Sequence, residues 1–123
     1  MILVDTSVWI DHLRYSDSFL VNLLNTGRVL AHPFVIGELA LGNLQQREVI
    51  LDALSNLSCA NIAADAEVLA FINQSRLYGA GIGYIDAHLL ASVRLTPGTL
   101  LWTRDKRLHA AAVQHGLLAA LDH

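Results

Sequence analysis

Three carboxylates of this chain each lie alone in a long stretch without other charges. Each is the only charged residue of its segment: Asp5 in MILVDTSVWI, Glu38 in PFVIGELALGNL and Asp86 in YGAGIGYIDAHLLASV. A fourth acid, Asp105, closes the segment LLWTRD. Burying a lone ionised carboxylate is costly unless something pairs with its charge. Acids on segments of core-like composition therefore predict a fold that brings them to a shared cation.

Length and composition predict one domain with apolar surface to spare. The 123 residues suffice for a single domain spanning residues 1–123 and are too few for two. The hydrophobic fraction is 54% and the charged fraction 15%, whereas ordinary domains have about 45–50% and about 25%. Surplus apolar surface commonly ends in an interface. We therefore expect a homodimer or a tightly bound protein partner.

The charge balance is compatible with a phosphate-rich substrate once metal ions are counted. A net charge of −3 is unfavourable for a nucleic-acid binder, because phosphate contacts need Lys and Arg. Two divalent cations held by the four acids would bring the sum to −3 + 4 = +1. Three basic residues surround the last acid and are candidates for substrate binding: Arg104, Lys106 and Arg107.

The sequence gives no sign of export or membrane insertion. A single cysteine, Cys59, cannot form a disulfide within the chain. Asp5 interrupts the N-terminal apolar run, and no uncharged apolar stretch reaches the roughly 18 residues of a membrane span. We expect a soluble, cytoplasmic protein.

Short apolar runs alternate with helical patterns along the chain. Strands are predicted at Ile2–Val4, 28–31 and 99–103, more weakly around Ile62, and possible at 117–121. Helices are predicted from about Ser7, from Asp17 or Ser18 to Gly27, and over 34–41, 47–54, 65–77, 84–95 and 106–115. Such alternation predicts an α/β fold, a mainly parallel sheet covered by helices on both faces.

The four acids take two kinds of position in this order of elements. Asp5 and Asp105 follow predicted strands, where sites of parallel sheets form. Glu38 and Asp86 have apolar neighbours three or four positions away, which predicts inward helix faces. Each acid alone has a simpler explanation: Asp5 or Asp86 as a helix cap, Glu38 in a buried ion pair, Asp105 as a solvated charge. Four unrelated structural roles, one for each acid on a separate element, are a less economical interpretation than one shared site.

If the acids converge, their chemistry favours a hard cation. Carboxylate oxygens without a Cys or His cluster suit Mg²⁺, with Mn²⁺ plausible, over zinc. His88 is two positions from Asp86, on another side of the helix, and is predicted to be a structural histidine. Three hydroxyls beside the outer acids could orient them or a bound water: Thr6, Ser7 and Thr103. A carboxylate-bound Mg²⁺ can activate water for hydrolysis of a phosphodiester.

The chain resembles the PIN-domain ribonucleases, and most closely the VapC-type toxins of bacterial toxin-antitoxin pairs. The resemblance is carried by VDTSVWIDHL, PFVIGELALG, GIGYIDAHLLAS and LWTRDKRL, in the family's order and spacing. It implies an α/β/α sandwich, a Mg²⁺-dependent site that cuts RNA, and inactivation by a cognate antitoxin. It also implies metal or catalytic roles for Asp5, Glu38, Asp86 and Asp105, with Thr6 and Thr103 in support.

Two other functions remain open on the sequence alone. A receiver-like phospho-accepting domain has this size and alternation, but it usually carries an adjacent pair of acids near the first strand, and Lys106 is misplaced for it. A PIN-like binding module without catalysis would keep the fold and the acids. Cleavage of RNA is the property that separates the leading hypothesis from both.

Overall fold

A three-stranded parallel sheet forms the centre of the protein, described here from a computed structural model that covers residues 1–121. Its strands are β1 (Ile2–Val4), β2 (Val29–Leu30) and β3 (Leu100–Trp102). The order is β2-β1-β3 and every pairing is parallel. All three residues of β1 are buried, as expected for the central strand of a sheet covered on both faces. The carboxyl ends of the strands therefore meet at one edge.

Single bridges extend this sheet at both sides. Ala31, just after β2, bridges Cys59, and Leu101 of β3 bridges Leu118. The possible last strand at 117–121 is thus in the right place but is reduced to one bridge. The predicted strand around Ile62 is wrong, because Ile62 is exposed and Asn61 instead donates hydrogen bonds to Thr96 Oγ1 and Leu95 O, at 2.9 and 2.8 Å.

Helices fill the connections between the strands. Within residues 1–121 they are α1 (Thr6–Tyr15), α2 (Ser18–Asn25), α3 (Pro33–Leu41), α4 (Arg47–Ser55), α5 (Asp65–Gln74), α6 (Tyr84–Leu95) and α7 (Lys106–Gln114). The predicted α/β/α architecture is confirmed. Helix α5 was predicted to end at Leu77 but ends three residues earlier, at Gln74. The helical path cannot continue because Arg76 has a positive φ of 53°.

The core joins the sheet to helices that were predicted to be apolar. Helix α6 is buried at every position from Ala87 to Val93, so it is a central helix with Asp86 at the border of its buried part. In α2, Leu20 and Leu23 are buried, which means that its apolar stripe faces the core. The buried apolar residues form one cluster. The assignment of residues 1–123 to one domain stays a prediction, since its last two residues lie outside those described.

None of the helices described is both long and apolar enough to cross a membrane. The most buried helix, α6, has 12 residues, whereas a spanning helix needs about 20.

Candidate functional site

Asp5 lies at the carboxyl end of β1 and is held by hydroxyl groups. Its side chain is 5% exposed. Oδ2 accepts hydrogen bonds from Ser7 Oγ at 2.7 Å and from Thr103 Oγ1 at 2.8 Å. Thr103 follows β3, and the pairing of Val4 with Trp102 brings the two strand ends together. The edge of the sheet thus presents Asp5 in a fixed orientation.

The helix-cap explanation of Asp5 is correct but incomplete. Asp5 is the N-cap of α1, and its Oδ2 accepts from the backbone N–H of Ser7. That contact is 3.4 Å long, at the outer limit of a hydrogen bond, and the two hydroxyl contacts are much shorter. Orientation by Ser7 and Thr103 therefore dominates over capping.

Glu38 reaches the same region from α3. The predicted inward-facing position is wrong: Glu38 is exposed, and Leu41, three residues later, is 91% exposed. The apolar neighbours misled the prediction because only Val35 among them is deeply buried. Glu38 Oε1 nevertheless accepts a 2.7 Å hydrogen bond from Thr6 Oγ1, the residue next to Asp5. Thr6 therefore couples the second acid to the first.

Asp86 feels the charge of the other three acids. It is the third residue of α6, which begins at Tyr84 as predicted, so Asp86 does not cap a helix that starts later. It does take part in the capping box of α6, because its Oδ2 accepts from the backbone N–H of the N-cap residue Gly83 at 3.4 Å. Burial raises the pKa of its carboxyl above the ordinary value, a weak hydrogen bond from Gly83 N opposes this, and the negative charges of Asp5, Asp105 and Glu38 raise it further. The four acids therefore lie in one electrostatic neighbourhood.

Asp105 stands at the end of the segment that follows β3. It is exposed and is the N-cap of α7, where its Oδ1 accepts from Leu108 N at 2.9 Å. Its own N–H donates to Thr103 Oγ1 at 3.1 Å. Thr103 thus links Asp105 to Asp5 through a single buried hydroxyl.

The donor set suits a hard cation, although its members are not drawn together into a cage. Among residues 1–121, no three His, Cys, Asp or Glu side chains are placed as a ready metal site. In that same range each acid uses only one carboxylate oxygen in hydrogen bonds, which leaves its second oxygen for a ligand: Asp5 Oδ1, Glu38 Oε2, Asp86 Oδ1 and Asp105 Oδ2. A bound Mg²⁺ or Mn²⁺ would coordinate the free carboxylate oxygens and offset the repulsion between the acids.

The three basic residues near Asp105 differ in their surroundings. Lys106 and Arg107 are exposed, and the Arg107 side chain lies across Gly81 in the loop before α6. Arg104 is more restrained than the prediction of a phosphate contact assumed, because its guanidinium is paired with Asp11 and Asp17 and its side chain is 24% exposed. Sequence reasoning missed these ion pairs, which join residues 93 and 87 positions apart and leave no local signal.

His88 is buried and makes contacts away from the four acids. Its Nε2 lies 3.0 Å from Asp65 Oδ1, and Asp65 also accepts from Tyr84 Oη at 2.8 Å. Phe34 packs edge-on against its ring. The prediction of a structural histidine agrees with these contacts, whereas no local pattern indicated Asp65 as its partner.

A groove of about 760 Å³ runs beside the site, between α1, α3 and α4. Apolar and polar side chains line it in about equal measure, and Glu38 is one of the polar ones. The apolar side chains of the three helices are Ile10, Leu13, Tyr15, Leu39 and Ile50. Tyr15 is 86% exposed there. The groove therefore offers apolar surface that continues to the acidic site.

Comparison with known proteins gives two findings. A sequence model of the PIN domain matches residues 2–114. Two relatives from Mycobacterium tuberculosis, of strains CDC 1551 / Oshkosh and ATCC 25618 / H37Rv, both carry the name "Ribonuclease VapC32". Each is 52% identical over 120 residues, which cover 98% of this chain and 97% of the relative.

Proposed function

The chain belongs to the PIN-domain family, and from this premise we propose that it is a Mg²⁺-dependent endoribonuclease toxin of the VapC type. The match to ribonucleases covers nearly the whole chain at 52% identity, which supports ribonuclease activity. The observation that carries metal dependence is the placement of Asp5 and Asp105 around the Thr103 hydroxyl at the carboxyl ends of β1 and β3. In addition, burial and the charges of Asp5, Asp105 and Glu38 raise the pKa of Asp86. A cation shared by these acids relieves that repulsion.

The proposed ligands are Asp5, Glu38, Asp86 and Asp105, each through its second carboxylate oxygen. When bound, Mg²⁺ lowers the pKa of a coordinated water and stabilises charge on phosphate oxygens. Mn²⁺ is expected to substitute, because it takes the same oxygen ligands.

The hydroxyl groups hold the acids in place for this chemistry. Thr103 fixes the orientation of Asp5 and contacts the backbone of Asp105. Thr6 restrains Glu38, an exposed side chain that would otherwise sample many rotamers. Such preorganisation lets the carboxylates meet a metal with little further ordering.

RNA is the proposed substrate, and Lys106 and Arg107 are its proposed phosphate contacts. Both are exposed beside Asp105, and Arg107 spans from α7 to the loop that leads to Asp86. Cations at these positions offset the negative field of the acids, which otherwise repels a polyanion. Because RNA and its cleavage machinery occur in the cytoplasm, we place the protein there.

Cleavage by purified protein tests this function. We expect RNA to be cut with Mg²⁺ and not with a chelator, and Asp5→Asn to lose at least about a hundredfold in rate because it removes a ligand charge. The matched control is Asp52→Asn, the same change at an exposed acid on α4. Equal cleavage by parent and Asp5→Asn would refute the proposal.

Membership of the PIN-domain family excludes the receiver-like hypothesis. A PIN-like module without catalysis is the remaining alternative. It would bind Mn²⁺ and RNA through the same residues and cut nothing. Single-turnover assays with enzyme in excess distinguish a slow nuclease from such a module.

A cognate antitoxin is the proposed protein partner, and the groove between α1, α3 and α4 is its proposed site. Its apolar lining residues and the exposed Tyr15 match the surplus of apolar residues in the composition. Because Glu38 lies at its edge, a segment bound there ends beside the acids and hinders RNA access. The expected homodimer is also part of this proposal, and light scattering of the purified protein tests it.

A further inference from the structure

Arg104 is held on three sides. Its Nη1 donates to Asp11 Oδ2 at 2.8 Å and its Nη2 to Asp17 Oδ2 at 2.5 Å. Its guanidinium carbon lies 5.6 Å from the centre of the Trp102 ring. The side chain is only 24% exposed. Two carboxylates therefore neutralise this arginine and fix its orientation.

The two ion pairs tie α1 and α2 to the short segment between β3 and α7. Asp11 belongs to α1 and Asp17 is the N-cap of α2, whereas Arg104 lies between β3 and α7. A planar guanidinium can serve two carboxylates at once, because it presents several N–H groups in a rigid fork. The Asp17 carboxylate is 10% exposed, so this ion pair is weakly screened by solvent.

The backbone of the same residue belongs to the acidic site. Arg104 N donates to Ser7 Oγ at 2.9 Å, and Ser7 Oγ donates to Asp5 Oδ2 at 2.7 Å. On its two sides lie Thr103, which donates to Asp5, and Asp105, one of the proposed ligands. A shift of Arg104 therefore disturbs two acids at once.

We propose that Arg104 is a positioning residue, which locks residues 103–105 against α1 and α2 and so sets the geometry of Asp5 and Asp105 for metal binding. The inference rests on the proposed function and assigns this arginine a role other than phosphate contact. Two features support it: both terminal nitrogens of the guanidinium donate to carboxylates, and the backbone N–H of Arg104 lies one hydroxyl away from Asp5.

Metal and RNA binding, measured separately, test the inference. Mn²⁺ affinity is measured by calorimetry without RNA, and RNA affinity by fluorescence anisotropy without metal. We expect Arg104→Lys to weaken Mn²⁺ binding about tenfold, because an ammonium group keeps the charge but cannot fork between two acids. RNA affinity should stay within about twofold of the parent, because the charge is kept and phosphates are not its partners.

Asp11→Asn provides a second variant, at a partner of Arg104 that is not one of the four acids. It removes one arm of the fork at a half-exposed position, so the protein should fold, and Mn²⁺ affinity should fall about threefold. Arg28→Gln is the matched control, an exposed arginine just before β2 that should bind Mn²⁺ like the parent. If Arg104→Lys does not fold, Asp11→Asn decides alone.

Two outcomes would overturn the inference. One is parent-like Mn²⁺ affinity in Asp11→Asn or in a folded Arg104→Lys. The other is a loss of RNA affinity larger than the loss of Mn²⁺ affinity, which would make Arg104 a phosphate contact. A parent that neither binds Mn²⁺ nor cuts RNA would instead refute the proposed function, and the inference with it.

Discussion

Asp86 is the residue at which the electrostatics of the site can be measured most directly. Its carboxyl is half-buried and has one weak hydrogen bond, whereas Asp5 is stabilised by two short hydroxyl contacts. Burial, and after it repulsion from the other acids, therefore destabilises ionised Asp86 with little to offset it. A close pair of like charges costs on the order of 1 kcal/mol at an effective dielectric near 20.

We predict that metal-free Asp86→Asn unfolds a few degrees above the parent at pH 7. The folded-state pKa of Asp86 is raised, so its contribution is favourable below the ordinary pKa and is lost as the pH rises through the raised value. Melting curves with and without Mg²⁺ check this, and Mg²⁺ should narrow the gap. Equal melting temperatures of both proteins under both conditions would show that the acids do not interact.

The buried His32 should make the stability of the protein depend on pH in the opposite direction to Asp86. It is fully buried, its Nδ1 accepts from Phe34 N at 3.1 Å, and its Nε2 lies 3.0 Å from Ser92 Oγ. Burial, and then the charge of His88, lower its pKa to about 4. Because the unfolded chain binds the proton more readily, stability should fall as the pH drops from about 6.5 towards about 4, by at most about 1.4 kcal/mol per pH unit.

The variant His32→Asn should flatten that slope, since asparagine can still cap α3 and does not titrate. Denaturant unfolding between pH 4.5 and 7, with saturating Mg²⁺ to suppress the contribution of Asp86, measures the difference. Parallel slopes for parent and variant would contradict the assignment.

At the scale of elements, the loop before α6 contains a glycine with left-handed backbone that lies close to the Arg107 side chain. Gly81 has a φ of +80°, and a Cβ added there would lie 2.9 Å from Arg107 Cδ. Gly81→Ala should therefore cost about 1–2 kcal/mol, because left-handed backbone is strained for alanine. Gly37→Ala is the control: it lies within α3 with open space around it and should stabilise by up to about 1 kcal/mol. Chemical denaturation compares them; an unchanged Gly81→Ala would argue against the strain.

Local sequence patterns predicted most helices and strands correctly. They failed where contacts between residues distant in sequence determine the structure. Helix α6 begins and ends as predicted, because a glycine turn precedes its apolar stretch and Pro97 follows it. The strand around Ile62 failed because its backbone is tied to the end of α6. Three of the acids stood out by their isolation in sequence, and Asp105 by its place after a predicted strand. The outward position of Glu38 and the partners of Arg104 were not, since both depend on how α1 and α3 pack.

At the scale of the whole molecule, a substitution in the groove should weaken inhibition by the antitoxin and leave RNA cleavage unchanged. Ile10 is 40% exposed and lines the groove. We predict that Ile10→Glu weakens inhibition by the cognate antitoxin at least about tenfold, because it buries a charge in an apolar interface, and leaves RNA cleavage by the free protein unchanged.

The control for this prediction is Val113→Glu, which places the same charge at an exposed position on α7, away from the groove. Titration of antitoxin into a cleavage assay compares the two variants with the parent. Inhibition of Ile10→Glu at parent-like antitoxin concentrations would place the partner elsewhere.

The central claim is that four acids from separate elements form one site that cuts RNA. Mapping of new RNA ends in cells after brief induction tests it most directly, with parent, Asp5→Asn and Asp52→Asn compared at equal protein levels. We predict the same set of new ends from the parent and from Asp52→Asn, and none above background from Asp5→Asn. The same ends from Asp5→Asn as from the parent would contradict the claim.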